Sequence, residues 1–307
     1  MAVSYAKALS PYENKGVLGL PEVADDYQIL EQKVNQLAKL LLASRCCVLH
    51  TGAGISTTAG IPDFRGPKGL WTLEARNEPA DDGVSFADAS PTYTHYGINA
   101  LENKNIVKFV ISQNVDGLHI RSGYPLNRIA ELHGNVFLEK CSRCGRRYYR
   151  TAPTGSIGLK PTGKQCEGTN TGRPCRGVLH DVCLDWEDPL PEEDLRTANK
   201  FARNADLSIC MGTTLQITPA GDLPLLTKKN GGKLVIINLS KTKHDRKADL
   251  IINGRVDDVM KMLMAVLNIT VIQTYNPNFV LLFSNHPLER FIKSRKRRKL
   301  KHRVEEV

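Results

Sequence analysis

A short apolar run, Cys46–His50 (CCVLH), ends abruptly in Thr51-Gly52-Ala53-Gly54-Ile55-Ser56. This junction constrains the fold more than any other segment. An apolar stretch of strand length that stops at a glycine turn reads as a buried strand. In open α/β sheets ligands bind outside such strand ends. The pattern repeats: Ile106–Ile111, Leu207–Met211, Leu234–Ile237 and Leu250–Ile252 are further strand-length runs. Helical spacing of apolar residues precedes the first run, from Ile29 to Leu42, and recurs over Leu195–Ala202 and Val256–Leu267. Strands that alternate with helices predict a parallel, doubly wound α/β sheet.

Residues 134–182 interrupt the rhythm. They are rich in Cys, Gly, Arg and Thr and carry no long apolar run. Of the eight cysteines, four are framed as Cys141-x2-Cys144 and Cys166-x8-Cys175. Four thiolates suit a closed, tetrahedral and therefore structural zinc site. The segment reads as an insert held by its metal. The other four, Cys46, Cys47, Cys183 and Cys210, sit among apolar residues. Residues 1–25, with Pro11, Gly16, Gly19 and Pro21, read as an irregular arm, and the strand–helix pattern occupies about 26–270.

At 307 residues, 41% apolar and 24% charged, the chain has an ordinary globular composition, which excludes collagen, a coiled coil and a wholly disordered chain. No apolar run approaches the ~18 residues of a membrane span, and the start lacks a basic-then-apolar leader, so an intracellular protein without membrane contact is expected. The net charge of +10 is local: Lys293–Arg303 (KSRKRRKLKHR) supplies eight positive charges, leaving the remainder at +2. Residues 271–307 therefore read as a basic, disordered tail. Such a run serves as a nuclear address, a non-specific DNA contact, or simply a solvated end.

Three polar segments lie where this fold would place a ligand. The glycine turn lets backbone approach a pyrophosphate at a helix start. Thr57 stands where the dinucleotide fingerprint has its third Gly, and no Gly-Lys-Ser/Thr follows, so by itself the turn is equally a tight strand-to-helix connection. Gly60-Ile61-Pro62-Asp63-Phe64-Arg65-Gly66 adds an acid that could accept from a carboxamide, an aromatic shield and a guanidinium for phosphate or ribose, or else a surface ion pair. Gln113-Asn114-Val115-Asp116-Gly117-Leu118-His119 follows a predicted strand, and His133 lies between it and the cysteine insert. A neutral imidazole there could serve as a general base near pH 7; a packed histidine is the alternative.

Taken in order along one chain, G-A-G-I-S-T-T-A-G-I-P-D-F-R-G, Q-N-V-D-G-L-H, L-H-G and C-x2-C…C-x8-C resemble the sirtuins, the NAD-dependent protein deacylases. The resemblance covers roughly residues 26–270. Finer segments, D-F-R-G-P-K-G-L-W (63–71), W-E-D-P-L-P (186–191), the N-terminal S-Y-A-K-A-L-S-P-Y (4–12) and T-K-H-D-R (242–246), resemble its class IV branch. The fold implied is a Rossmann-like doubly wound parallel sheet with an inserted small zinc-binding module. NAD would lie in the crevice between them as co-substrate, with one structural Zn2+.

The resemblance implies catalytic roles for His133, Asn114, Asp116 and Ser56. It implies NAD contacts at Gly52, Ala53, Gly54, Thr57, Asp63, Phe64, Arg65, Trp71, Gln113 and His133, then Gly212, Thr213 and Thr214 (where the family has G-T-S), Asn238, Ser240 and Val256, the last equally readable as a core residue. His133 would deprotonate a ribose hydroxyl after the acyl oxygen has displaced nicotinamide, and O-acyl-ADP-ribose would leave. Asn114 and Asp116 would hold the nicotinamide pocket and a water. The implied partners are acyl-lysine histone tails and nucleosomes, in the nucleus, with a monomer or weak oligomer. Mono-ADP-ribosyl transfer is a related outcome. A hydride-transferring dehydrogenase is disfavoured by Thr57 and by the lack of a clear acidic ribose ligand about 20 residues on. A catalytically weak zinc-containing chromatin scaffold is the reading from another class.

Overall fold

The structure, a computed structural model, describes residues 2–274 apart from 82, 171 and 172. Most of the expected basic tail, including Lys293–Arg303, lies outside the described residues.

In chain order the helices are α1 (Ala2–Ala8), α2 (Tyr27–Ala43), α3 (Leu70–Ala75), α4 (Tyr93–Asn103), α5 (Leu118–Arg121), α6 (Glu192–Asn204), α7 (Pro224–Lys229) and α8 (Val256–Val266). The strands are β1 (Cys47–Thr51), β2 (Val107–Ser112), β3 (Ile129–Glu131), β4 (Leu138–Cys141), β5 (Arg147–Tyr149), β6 (Pro161–Gln165), β7 (Thr169–Asn170), β8 (Arg173–Pro174), β9 (Val178–Asp181), β10 (Leu207–Met211), β11 (Lys233–Ile237) and β12 (Leu250–Ile252). The five expected strands form within a residue of their runs. The arm departs from expectation: residues 2–8 are helical, with Tyr5 and Ala6 packed against Ile61, Leu70 and Phe86.

Six strands make one parallel sheet in the order β12-β11-β10-β1-β2-β3. Read from β3, this is the doubly wound order, with the chain reversing direction across the sheet between β1 and β10. The strands are apolar throughout because both faces are covered. Leu49 and Val110 join the core under α2, α4 and α8, while Val48, Phe109 and Ile111 face α6, where Phe109 stacks on Phe201 at 4.1 Å. Helix α2 starts where the Asp26 carboxylate accepts from Ile29 N at 2.9 Å, satisfying an orphan donor of the first turn.

The cysteine-rich insert is a four-stranded antiparallel sheet, β5-β4-β9-β6, with the β7-β8 hairpin beside it. Its small core is Tyr148 and Leu179 with the cysteines. It is also anchored in the main body, since Val136 and Phe137 pack with Ile61, Val115 and Leu118. Gly134, next to His133, is where the chain turns into the insert. Its φ is +94°, and a Cβ there would lie 2.0 Å from Val182 O. Only glycine fits.

Candidate active site

A cavity of about 870 Å3 runs along the C-terminal ends of the parallel strands, at the upper end of the range for small-molecule sites. Every catalytic and NAD-contact residue expected from the sequence lines it. Gly52–Thr57 follow β1, Gln113–Asp116 follow β2, His133 follows β3, Gly212–Thr214 follow β10, Asn238 and Ser240 follow β11, and Val256 opens α8.

The glycines also do a packing job that the sequence did not announce. Gly54 N donates to Gly212 O at 2.9 Å and Gly52 N to Met211 O at 3.1 Å. A Cβ on Gly54 would come within 2.7 Å of the Gly212 Cα, and one on Gly52 within 2.6 Å of the Thr213 Cβ. The glycines therefore let the β1 and β10 loops meet backbone to backbone at the switch point. The chain then makes two 3-10 turns, Ala53–Ile55 and Thr57–Ala59, rather than an α-helix.

Behind this loop is a buried polar node. Ser56 Oγ donates to Asp116 Oδ2 at 2.6 Å, and Leu118 N donates to Asp116 Oδ1 at 2.9 Å. Asn114 Nδ2 donates to Gly52 O at 3.1 Å. Burial pushes the Asp116 carboxyl up, and these donors pull it back. Ser56, Asn114 and Asp116 thus tie the glycine loop to the end of β2 while also facing the cavity. Gln113 Nε2 donates to Thr213 Oγ1 at 3.1 Å, which links the two halves of the crevice.

His133 has Nδ1 3.0 Å from Gln113 O. A carbonyl can only accept, so Nδ1 carries the proton and Nε2 is left as an acceptor. Burial, and secondarily the Arg65 charge, lowers its pKa to about 4 against the pull of that hydrogen bond. The imidazole is neutral at pH 7. His119, by contrast, is fully buried and bonded to Thr51 Oγ1 at 2.9 Å, away from the cavity lining.

The wall near His133 is aromatic. Phe64 packs on Trp71 at 4.6 Å, Trp71 on Trp186 at 4.9 Å, and Tyr12 stacks on Trp186 at 4.6 Å. The Arg65 guanidinium lies 4.6 Å over Trp71, and its Nε donates to Lys15 O at 2.8 Å. Burial lowers the Arg65 pKa to about 10, which leaves it charged at pH 7. Asp63 Oδ1 accepts from Gly66 N at 3.1 Å, turning the loop. At the far end Thr57 Oγ1 donates to Gly54 O at 3.3 Å, Thr214 O accepts from Lys243 N at 3.1 Å, and Asn238 Nδ2 donates to Ser240 O at 2.7 Å. Val256 is both a cavity residue and a core residue.

Sequence reading noted the arm's segment 4–12 but gave it no part in the site. Tyr5 and Leu9 line the cavity, and Ser10 bonds Asp185 through N and Oγ, at 3.0 and 2.6 Å. The i, i+4 spacing of Tyr5 and Leu9 was the available signal.

The sulfurs of Cys141, Cys144, Cys166 and Cys175 lie within 4.8 Å of one another. Cys141–Cys175 and Cys144–Cys166 are 3.7 and 3.6 Å apart. A tetrahedron with Zn–S near 2.3 Å has edges of about 3.8 Å, so the cluster fits one structural zinc ion. Arg143 N and Cys144 N point at Cys141 Sγ, each at 3.4 Å. A Cβ on Gly177 would stand 2.5 Å from the same sulfur.

Fold and site together define a dinucleotide-type α/β protein with a zinc-ready insert beside a polar, histidine-bearing cavity. The profile of the Sir2 family matches residues 79–219. The NAD-dependent protein deacetylase Sirt6 of Drosophila melanogaster is 49% identical over 274 residues, 88% of this chain and 86% of its own. SRT1 of Arabidopsis thaliana, named likewise, is 47% identical over 88% of this chain and 57% of its own. A solved Sir2 with a p53 peptide and NAD+ is 32% identical, with a TM-score of 0.59, over 77% of this chain and 99% of its own. The chain belongs to the sirtuin family.

Proposed function

We propose that the protein is an NAD-dependent protein-lysine deacylase. The observation that carries this reading is the state of His133: neutral, with its tautomer set by Gln113 O, and with its acceptor nitrogen available at the cavity end of β3. NAD would be held as co-substrate by Gly52, Ala53, Gly54, Thr57, Asp63, Phe64, Arg65, Trp71, Gln113, Gly212, Thr213, Thr214, Asn238, Ser240 and Val256. The name of the Sirt6 relative and the NAD-bound Sir2 neighbour support NAD as the co-substrate. NAD supplies an electrophilic ribose carbon once nicotinamide leaves. His133 Nε2 accepts a proton from a ribose hydroxyl. Phe64, Trp71 and Trp186 shield the ribose carbon from water while nicotinamide leaves, and Arg65 faces the phosphates or ribose. Ser56, Asn114 and Asp116 fix the loop that carries the dinucleotide.

The acyl oxygen would bond to the ribose carbon as the nicotinamide bond breaks, the deprotonated hydroxyl would attack the acyl carbon, and one water would add there as the bond to the lysine nitrogen breaks, so NAD, acyl-lysine and water give nicotinamide, free lysine and O-acyl-ADP-ribose. The substrates are acylated lysines of histone tails and nucleosomes, long-chain acyl groups included, and the basic run Lys293–Arg303 directs the protein to the nucleus and contacts DNA phosphates. The scaffold reading fares worse, because a vestigial site has no need of a histidine held in its basic form. The test is nicotinamide release from NAD by wild type and by His133→Tyr, with an acyl-lysine histone peptide. Release confined to wild type and dependent on the peptide supports the reading; equal release from both overturns it.

A further inference from the structure

The glycine loop is held through Thr58 by one carboxylate that belongs to neither the loop nor the strands. Thr58 Oγ1, in the second 3-10 turn, donates to Asp257 Oδ2 at 2.7 Å. Thr94 N, in the first turn of α4, donates to Asp257 Oδ1 at 2.9 Å, and Thr94 Oγ1 donates to the same oxygen. Thr92, the N-cap of α4, donates its hydroxyl to Ile55 O at 2.9 Å. The start of α4 thus grips the loop twice, directly at Ile55 and through Asp257 at Thr58. Asp257 itself sits in the first turn of α8, next to Val256, which faces the cavity. Both Asp257 oxygens are used by donors from two other elements. Thr58 and Asp257 also line the cavity.

We propose that Asp257 is a positioning residue that pre-sets the loop Gly52–Ala59 for the dinucleotide by latching Thr58 to α4 and α8. This rests on the reading above that the loop carries NAD. Charge-assisted hydrogen bonds to a carboxylate are roughly twice as strong as neutral ones. Losing the latch frees a segment that must then be ordered on binding, a cost that falls on NAD affinity. Thr58 is exposed and packs in no core, so removing its hydroxyl spares the fold.

The experiment measures NAD affinity by equilibrium dialysis, and KM and kcat by nicotinamide release, for wild type, Thr58→Val, Thr58→Ser, Asp257→Asn and the Thr58→Val/Asp257→Asn pair. Thermal melts run alongside. We expect Thr58→Val to weaken NAD binding about 3- to 10-fold, with the peptide KM unmoved and the melt unchanged. Thr58→Ser should restore affinity, and the double variant should be no weaker than Asp257→Asn, because Thr58→Val removes only a contact to Asp257 that the second change already disrupts along with those from Thr94. Unchanged NAD affinity in Thr58→Val, or additive losses in the pair, overturns the latch. Wild type that binds NAD without turnover overturns the deacylase reading alone, and the dialysis still decides the latch. Wild type that binds no NAD overturns both.

Discussion

The Nδ1 atom of His133 donates its proton to the carbonyl of Gln113, 3.0 Å away. Gln113 is the first residue after β2 and His133 the second after β3, strands paired through Ser112 and Glu131. The parallel sheet itself therefore fixes which ring nitrogen can act as base. A backbone acceptor sets the tautomer without a carboxylate to raise the ring's basicity, and burial keeps the pKa low.

The pH dependence follows with a definite sign. The basic form of His133 predominates above its folded pKa of about 4. For the free enzyme, kcat/KM should hold as pH falls through 6.5 and drop only near 4, provided the fold survives. Measuring kcat/KM for an acyl peptide from pH 8 downward, with circular dichroism at each step, checks this. A midpoint near 6.5 would show an exposed, unperturbed imidazole.

Stability should fail first in acid. His50 and His95 are fully buried, and burial alone lowers both to about 3. The unfolded chain binds their protons near 6.5. Stability is therefore full above that pH and lost as pH falls toward 3, at about 1.4 kcal/mol for each pKa unit per group. Urea unfolding at several pH values reads the slope; a curve flat from 7 to 4.5 would contradict it.

Removing the metal should cost more than the module. Cys141, Cys166 and Cys175 are buried, and the insert's own core is small. Leu184 N donates to His133 O at 3.1 Å, so the segment leaving the insert touches the base directly. Chelation, or Cys166→Ser, should unfold the insert and abolish nicotinamide release. Zinc content and activity should fall together while proteolysis within 134–182 rises; full activity in zinc-free protein would refute the coupling.

Ser56→Ala removes the hydroxyl that donates to Asp116 at 2.6 Å and leaves a buried carboxylate short of a partner. A cost of about 1–3 kcal/mol in stability is expected, together with weaker NAD binding as the loop loosens. Chemical denaturation and NAD titration separate the two effects. No change in either would mean Ser56 is incidental.

Much of this was legible beforehand, for a physical reason. Strands buried on both faces are continuous apolar runs, so β1, β2, β10, β11 and β12 were readable within a residue. The residues after them fall at the sheet's C-terminal edge by topology, which is why Gly52, Gln113, His133, Gly212 and Asn238 meet in one cavity. The cysteine spacing marked the zinc cluster. What stayed hidden depends on pairing across the sequence. Asp257 meets Thr58 from 199 residues away, and Ser10 meets Asp185 from 175. No periodicity encodes such contacts. Gly52 and Gly54 were readable as necessary glycines, yet the partner that demands them, Gly212, appears only once β1 and β10 lie side by side.

The central claim is tested most directly by incubating the protein with NAD and a myristoylated or acetylated histone peptide and reading the products by mass spectrometry. Nicotinamide and O-acyl-ADP-ribose in equal amounts, with one free lysine for each, are the predicted result. Nicotinamide with ADP-ribose attached to protein, or no products even with nucleosomes as substrate, would contradict it.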